Sequence, residues 1–165
     1  MNFNDINELK KAGFTVFKTM ADLFTDSTCI PKEKGVYFVL YNENKYPEFL
    51  EVGTGGFHKG KNLNYPISKL EKNWVENTLV INIGKAGGDR NKSTLEKRLK
   101  LYFSFGKGND APHRGGRSIW QLKNSSKLIV CWKILTTEDP RQTEKELIRN
   151  FDSQYGKRPF ANLVR

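Results

Sequence analysis

Two charged residues in this sequence stand where charge is costly. Glu144 falls three and four positions before Leu147 and Ile148, so on a helix it shares the apolar stripe that continues through Phe151 and Tyr155. Glu146 lies about 200° further round the same helix and faces solvent. An acid on a buried stripe needs a counter-charge or a metal. Glu144 is therefore either half of a structural ion pair with an arginine or a ligand. Arg98 has the same character, beside Leu95 and Leu99 in the basic run Lys97-Arg98-Leu99-Lys100. A guanidinium at that place is either a solvated or ion-paired helix residue or a bidentate phosphate clamp that stabilises developing negative charge.

Basic groups elsewhere suit contact with phosphate. His113, Arg114 and Arg117 flank Gly115-Gly116, where the backbone can approach a ligand closely, and Trp120 three residues on reads as a core residue. His58, Lys59 and Lys61 follow the Gly53-Thr54-Gly55-Gly56 stretch, and Lys97 neighbours Arg98. Such cations supply salt-sensitive affinity without reading sequence.

The elements that must position these residues are legible from periodicity. Gly35 to Tyr41 and Thr78 to Gly84 are β-branched and aromatic runs expected to be buried strands, and Lys127 to Leu135 is a third. Leu95, Leu99, Tyr102 and Phe103 recur at helical spacing between Thr94 and Phe105, with Gly106 beyond. Asp139-Pro140 supplies an N-cap and a proline at the first helical position for a helix ending at Gly156. A short helix is expected over Ile6 to Ala12 with Gly13 as terminator, followed by an apolar connection through Phe14, Val16, Phe17, Leu23 and Phe24. The order strand, strand, helix, strand, helix implies an α+β domain with a small, mostly antiparallel three-stranded central sheet flanked by helices.

Composition narrows the class. The 165 residues fit one ordinary domain, with residues 1–33 as an N-terminal extension. With 28 Lys and Arg against 18 Asp and Glu, the net charge of +10 favours polyanionic partners. Cys29 and Cys131 match no metal or disulfide framework. No apolar run approaches a membrane span and no leader pattern opens the chain, so a soluble, cytoplasmic protein with no membrane partner is expected.

Taken in order, Gly35-Val36-Tyr37, Asn82-Ile83-Gly84-Lys85-Ala86, Leu95-Glu96-Lys97-Arg98-Leu99, Glu144-x-x-Leu147-Ile148 and Pro159-Phe160-Ala161-Asn162 resemble the motif series of the GIY-YIG endonuclease superfamily. The Gly84-Lys85-Ala86 and Lys97-Arg98-Leu99 stretches are similar to the nuclease module of the bacterial nucleotide-excision-repair incision subunit. The resemblance implies the fold of that superfamily, with 42–77 as an insertion between the first two core strands, and one-metal hydrolysis of DNA phosphodiesters, duplex or branched, with RNA left open. It implies that Glu144 holds Mg²⁺ or Mn²⁺, that Arg98 stabilises the phosphorane-like charge, and that Tyr37 positions or deprotonates the attacking water with Lys85 nearby. Gly35 and Gly84 are implied as backbone support, and Asn162 as the tie that holds the C-terminal segment against the site. Asn82 stands where the second motif carries tyrosine, and an amide is no general base. Two functional classes follow: an active nuclease working through Tyr37, or a nucleic-acid-binding protein that kept the fold and lost the chemistry.

Three decoys fail. Ala86 and Asn91 stand where a P-loop needs glycine, Glu43-Asn44-Lys45 lacks the upstream Pro-Asp of another nuclease class, and two histidines are too few for a histidine-based metal site.

Overall fold

The computed structural model of the chain describes residues 1–88, 92–111 and 116–162. It is an α+β arrangement of five α-helices and four strands among those residues, in one antiparallel sheet. The strands are β1 (Thr15–Thr19), β2 (Gly35–Leu40), β3 (Val80–Ala86) and β4 (Ile129–Ile134), in the spatial order β1-β4-β2-β3. The helices are α1 (Ile6–Lys11), α2 (Met20–Thr25), α3 (Ile67–Asn73), α4 (Leu95–Gly106) and α5 (Pro140–Tyr155).

Every residue of β2 is buried, which explains why its sequence is continuously apolar instead of alternating. Both of its faces are covered. On one, Tyr37 and Val39 pack with Leu95, Leu99 and Tyr102 of α4 and with Trp120. On the other, Val36, Phe38 and Leu40 pack with Phe3 and Leu9, with Phe151, and with the partly buried Leu147 and Ile148 of α5. The sheet is thus a layer between α4 and α5, and successive residues of β2 serve opposite cores.

The expected three-stranded sheet is corrected to four strands, because the chain around Val16 and Phe17 forms β1 and pairs with β4. Its signature is broken locally: Val16 takes a left-handed φ of 56°, and the register shifts between Thr15 and Lys18. A bulge of this kind erases the two-residue alternation by which strands are recognised. β3 starts and ends two residues later than the 78–84 run suggests. Thr78 Oγ1 accepts from Val80 N at 3.1 Å, and a side chain that ties up its own backbone in this way delays the ladder.

The starts of α4 and α5 are well capped. Thr94 accepts from Lys97 N, and Asp139 accepts from Gln142 N with Pro140 at the first turn. Leu95 N and Glu96 N donate to Glu33 O and Pro31 O at 2.9 and 3.0 Å, which fastens the beginning of α4 to the segment entering β2. Gly35 is the point of closest approach. A Cβ there would collide with Lys133 O and stand 2.8 Å from Leu95 Cδ1.

Candidate active site

Tyr37 stands opposite Gly84 of β3 and Trp132 of β4. Its ring lies directly over Gly84, where any Cβ would run into Tyr37 Oη and Cζ. Glycine at 84 is what allows the phenol to cross the edge strand. Arg98, on the first turn of α4, reaches that phenol by charge and by a side-chain hydrogen bond, and the Glu144 carboxylate of α5 lies within electrostatic range of it. A guanidinium from α4 and a carboxylate from α5 are therefore both within electrostatic range of one strand phenol. Glu144 and Arg98 are each half-buried, whereas Glu146 is exposed and accepts from Gln142 Nε2 at 2.8 Å.

Burial raises the Tyr37 pKa above its ordinary 10.0; the positive charge of Arg98 opposes that rise, and the negative charge of Glu144 adds to it. The phenol is accordingly protonated at neutral pH. It can donate one hydrogen bond and accept another, and Arg98 is the group that eases loss of its proton.

A second phenol joins the cluster. Tyr102, one turn beyond Arg98 on α4, is fully buried with its ring centroid 6.3 Å from that of Tyr37. Its hydroxyl donates to Gly116 O at 3.0 Å and receives a 3.4 Å hydrogen bond from Asn82 Nδ2. Burial, then the neighbouring Tyr37, drive its pKa well above the ordinary range. Asn82, 3 % exposed, thus links β3 to α4 through Tyr102, and Tyr102 links α4 to the turn at Gly116. Gly116 has a φ of 73°, and a Cβ on it would clash with the Tyr102 hydroxyl. Helical spacing marks Tyr102 only as one of a packing stripe. The signal that distinguishes it is its place four residues after Arg98, which puts both side chains on the same stretch of helix surface.

Lys85 and Asn162 occupy different places. Lys85 alternates with Gly84, so its side chain leaves the sheet on the α5 side, with Ile83, and not on the Tyr37 face. The Asn162 side chain brackets the edge strand, accepting from Ile83 N at 2.9 Å and donating to Ile83 O at 2.8 Å. Ala161 N adds a bond to Ile81 O. The C-terminal segment thereby caps the open edge of β3, and Ile83 is held beside Gly84 and Asn82.

The basic residues are spread widely. Lys97 is exposed on α4 next to Arg98. His58, Lys59 and Lys61 belong to a tight turn at the far end of α4, where Gly56 N donates to Phe105 O at 2.9 Å. That end is about 10 Å along the helix from Arg98, so Lys59 and Lys61 are not part of the cluster. Arg117 opens the 3₁₀ turn Arg117–Gln121 immediately after Gly116. His113 and Arg114 lie outside the described residues.

A cleft of about 320 Å³ opens between the starts of α4 and α5, lined by Lys34, Lys92, Ser93, Thr94, Thr137 and Asp139 among others. Arg98 and Glu144 stand about one turn further into the two helices that frame it. Among the described residues no three His, Cys, Asp or Glu side chains gather as a preformed metal cage. Glu144, a carboxylate within electrostatic range of Tyr37, fits the other mode of binding a hard divalent cation, in which one carboxylate is completed by water and substrate phosphate. No helix among the described residues is long and apolar enough to cross a membrane. Scans of the chain against protein-family models, curated proteins and solved structures found no match.

Proposed function

We propose that this protein is a divalent-metal-dependent endonuclease of the GIY-YIG type that hydrolyses DNA phosphodiester bonds. The observation that carries the reading is that the Tyr37 phenol is hydrogen-bonded by Arg98 and lies within electrostatic range of the Glu144 carboxylate. Hydrolysis of a phosphodiester needs an oriented water, a counter-charge for the oxygens of the pentacovalent state and a cation at the phosphate, and these residue types supply or hold each of them. Glu144 would hold Mg²⁺ or Mn²⁺, which when bound polarises the phosphate. The Tyr37 hydroxyl accepts from the attacking water and orients it. Arg98 donates to the non-bridging oxygens and lowers the cost of removing the Tyr37 proton. Tyr102, held by Gly116 and Asn82, packs beside Tyr37 and limits its movement.

The test is nicking of supercoiled plasmid with Mg²⁺ or Mn²⁺. Wild type cleaves, Glu144→Ala and Arg98→Ala lose at least about 10²-fold in rate, and both variants keep the wild-type circular dichroism and cooperative melting. Binding of duplex with no cleavage under either metal overturns the nuclease reading. It would favour the second reading, a DNA-binding protein without activity, which draws support from the protonated state of Tyr37 and the amide at position 82.

A further inference from the structure

Near the candidate active site, two cations share one aromatic ring. The Arg117 guanidinium carbon lies 4.1 Å from the centroid of Tyr65, and Lys69 Nζ lies 4.0 Å from the same centroid. Their separation is therefore at most about 8 Å, close enough for mutual repulsion, and neither is ion-paired to a carboxylate among the described residues. Arg117 Nε is buried and has no hydrogen-bond acceptor among the described residues, although buried donors nearly always find one. Like charges held together beside an unfilled donor describe half of an anion site.

The Tyr65 backbone is tied to the Arg117 turn. Gln121, 2 % exposed and four residues after Arg117, accepts from Tyr65 N at 2.8 Å and donates to Tyr65 O at 2.9 Å and Leu50 O at 3.0 Å. One buried amide thus fixes Tyr65 in register with the turn that carries Arg117. Tyr65 and Lys69 both come from the stretch between β2 and β3, and Arg117 follows Gly116, whose carbonyl receives the Tyr102 hydroxyl. The cation pair is connected to the Tyr37 cluster through Tyr102 and two consecutive residues.

We propose that Arg117, Tyr65 and Lys69 form a second phosphate subsite, which takes a non-scissile phosphodiester of the same nucleic acid that is cleaved beside Tyr37. It rests on the nucleic-acid reading of that cluster. Tyr65 holds the guanidinium over its ring face, and the guanidinium donates from there to phosphate oxygens. Lys69, exposed on α3, closes on the same group as a point charge. The long connection between β2 and β3 then acts as part of the substrate-binding surface and not only as a surface elaboration.

The experiment measures binding of a fluorescein-labelled 20-base-pair duplex by anisotropy, in EDTA so that no strand is cut, from 50 to 300 mM KCl. Removing one phosphate-bound cation should lower the slope of log affinity against log salt by about 0.9. That loss is expected for Arg117→Gln and for Lys69→Gln separately. Arg117→Lys should keep the slope and weaken affinity at every salt concentration. Lys11→Gln on α1, under the opposite face, should change neither. If Arg117→Gln melts early, Lys69→Gln, an exposed change, decides alone. Unaltered slopes in both Gln variants, a wild type whose affinity ignores salt, or displacement of duplex by polyglutamate at equal charge would each overturn the subsite. A protein that shows these slope losses but never cleaves with Mg²⁺ or Mn²⁺ keeps the subsite and loses the nuclease reading. One that cleaves with unaltered slopes does the reverse.

Discussion

Tyr37 is a weak acid in surroundings that make it weaker. Burial holds its pKa above 10.0, with Arg98 opposing and Glu144 reinforcing the shift. If its oxygen takes the proton of the attacking water, the reactive form is the ionised one. Its fraction grows tenfold per pH unit anywhere below the pKa. Single-turnover cleavage between pH 6 and 8.5 is therefore expected to rise with a log–log slope near +1 in wild type, and Tyr37→Phe should lose both the slope and at least about 10²-fold in rate. A flat wild-type profile would mean that the phenol orients water without accepting its proton. At this scale the sequence was informative where a residue breaks its surroundings. Glu144 betrays itself as a carboxylate on an apolar stripe, and Arg98 as a cation beside two buried leucines. Tyr102 betrays nothing, because a tyrosine among Leu99 and Phe103 satisfies the packing pattern completely. Only in the folded chain does its hydroxyl come to lie between Asn82 and Gly116.

The strands and helices owe their relative positions to a few close approaches, and those are the places to perturb them. Gly84→Ala puts a methyl into the Tyr37 phenol. It is expected to cost about 1–3 kcal/mol in urea unfolding, typical of overpacking, and at least about 10²-fold in cleavage, since the displaced group is the one that orients water. Equal rates in mutant and wild type would show that the phenol over Gly84 has no part in the chemistry. Asn162→Ala removes both bonds to Ile83 and opens the edge of β3. The expected loss is about 1–3 kcal/mol, measured by the same unfolding experiment; an unchanged midpoint would mean that water replaces the amide at no cost. Legibility follows the same physics. α5 is announced by Asp139-Pro140 and Gly156, whose capping roles are local. β1 is hidden by the bulge at Val16, and α3 is hidden because it buries only Leu70 and has no side-chain cap. The contacts that matter most at the Arg117 turn join residues more than 50 positions apart, such as Gln121 to Tyr65, and no spacing rule reaches that far.

As a whole, the molecule carries protons in its core that it must surrender on unfolding in alkali. Burial raises the pKa of Cys131 far above its ordinary 9.0, despite a backbone bond at Phe38 that favours the thiolate. Burial does the same for Tyr37 and Tyr102 above 10.0. A group whose pKa is higher in the folded chain keeps its full contribution below the unfolded value. As pH rises past that value the unfolded chain loses the proton first, so stability declines until the folded pKa is reached. The decline should begin near pH 9 with Cys131 and steepen above 10 with the two phenols. Its limiting slope is about 1.4 kcal/mol per pH unit for each group. Relief of repulsion within a chain of net charge +10 works the other way as lysines deprotonate, so the total curve mixes both effects. Substitution of Cys131 by valine, close to it in size, isolates one of them. Urea unfolding at intervals from pH 7.5 to 10.5 should show wild type and Cys131→Val separated by a constant amount below pH 8.5. Above that the gap should move by up to about 1.4 kcal/mol per unit in favour of the valine variant. A gap that stays constant to pH 10.5 would show that the thiol ionises in the folded chain as readily as in the unfolded one. The sheet face against α5 would then be open to water, at odds with the complete burial of Phe38 and Phe151 beside it.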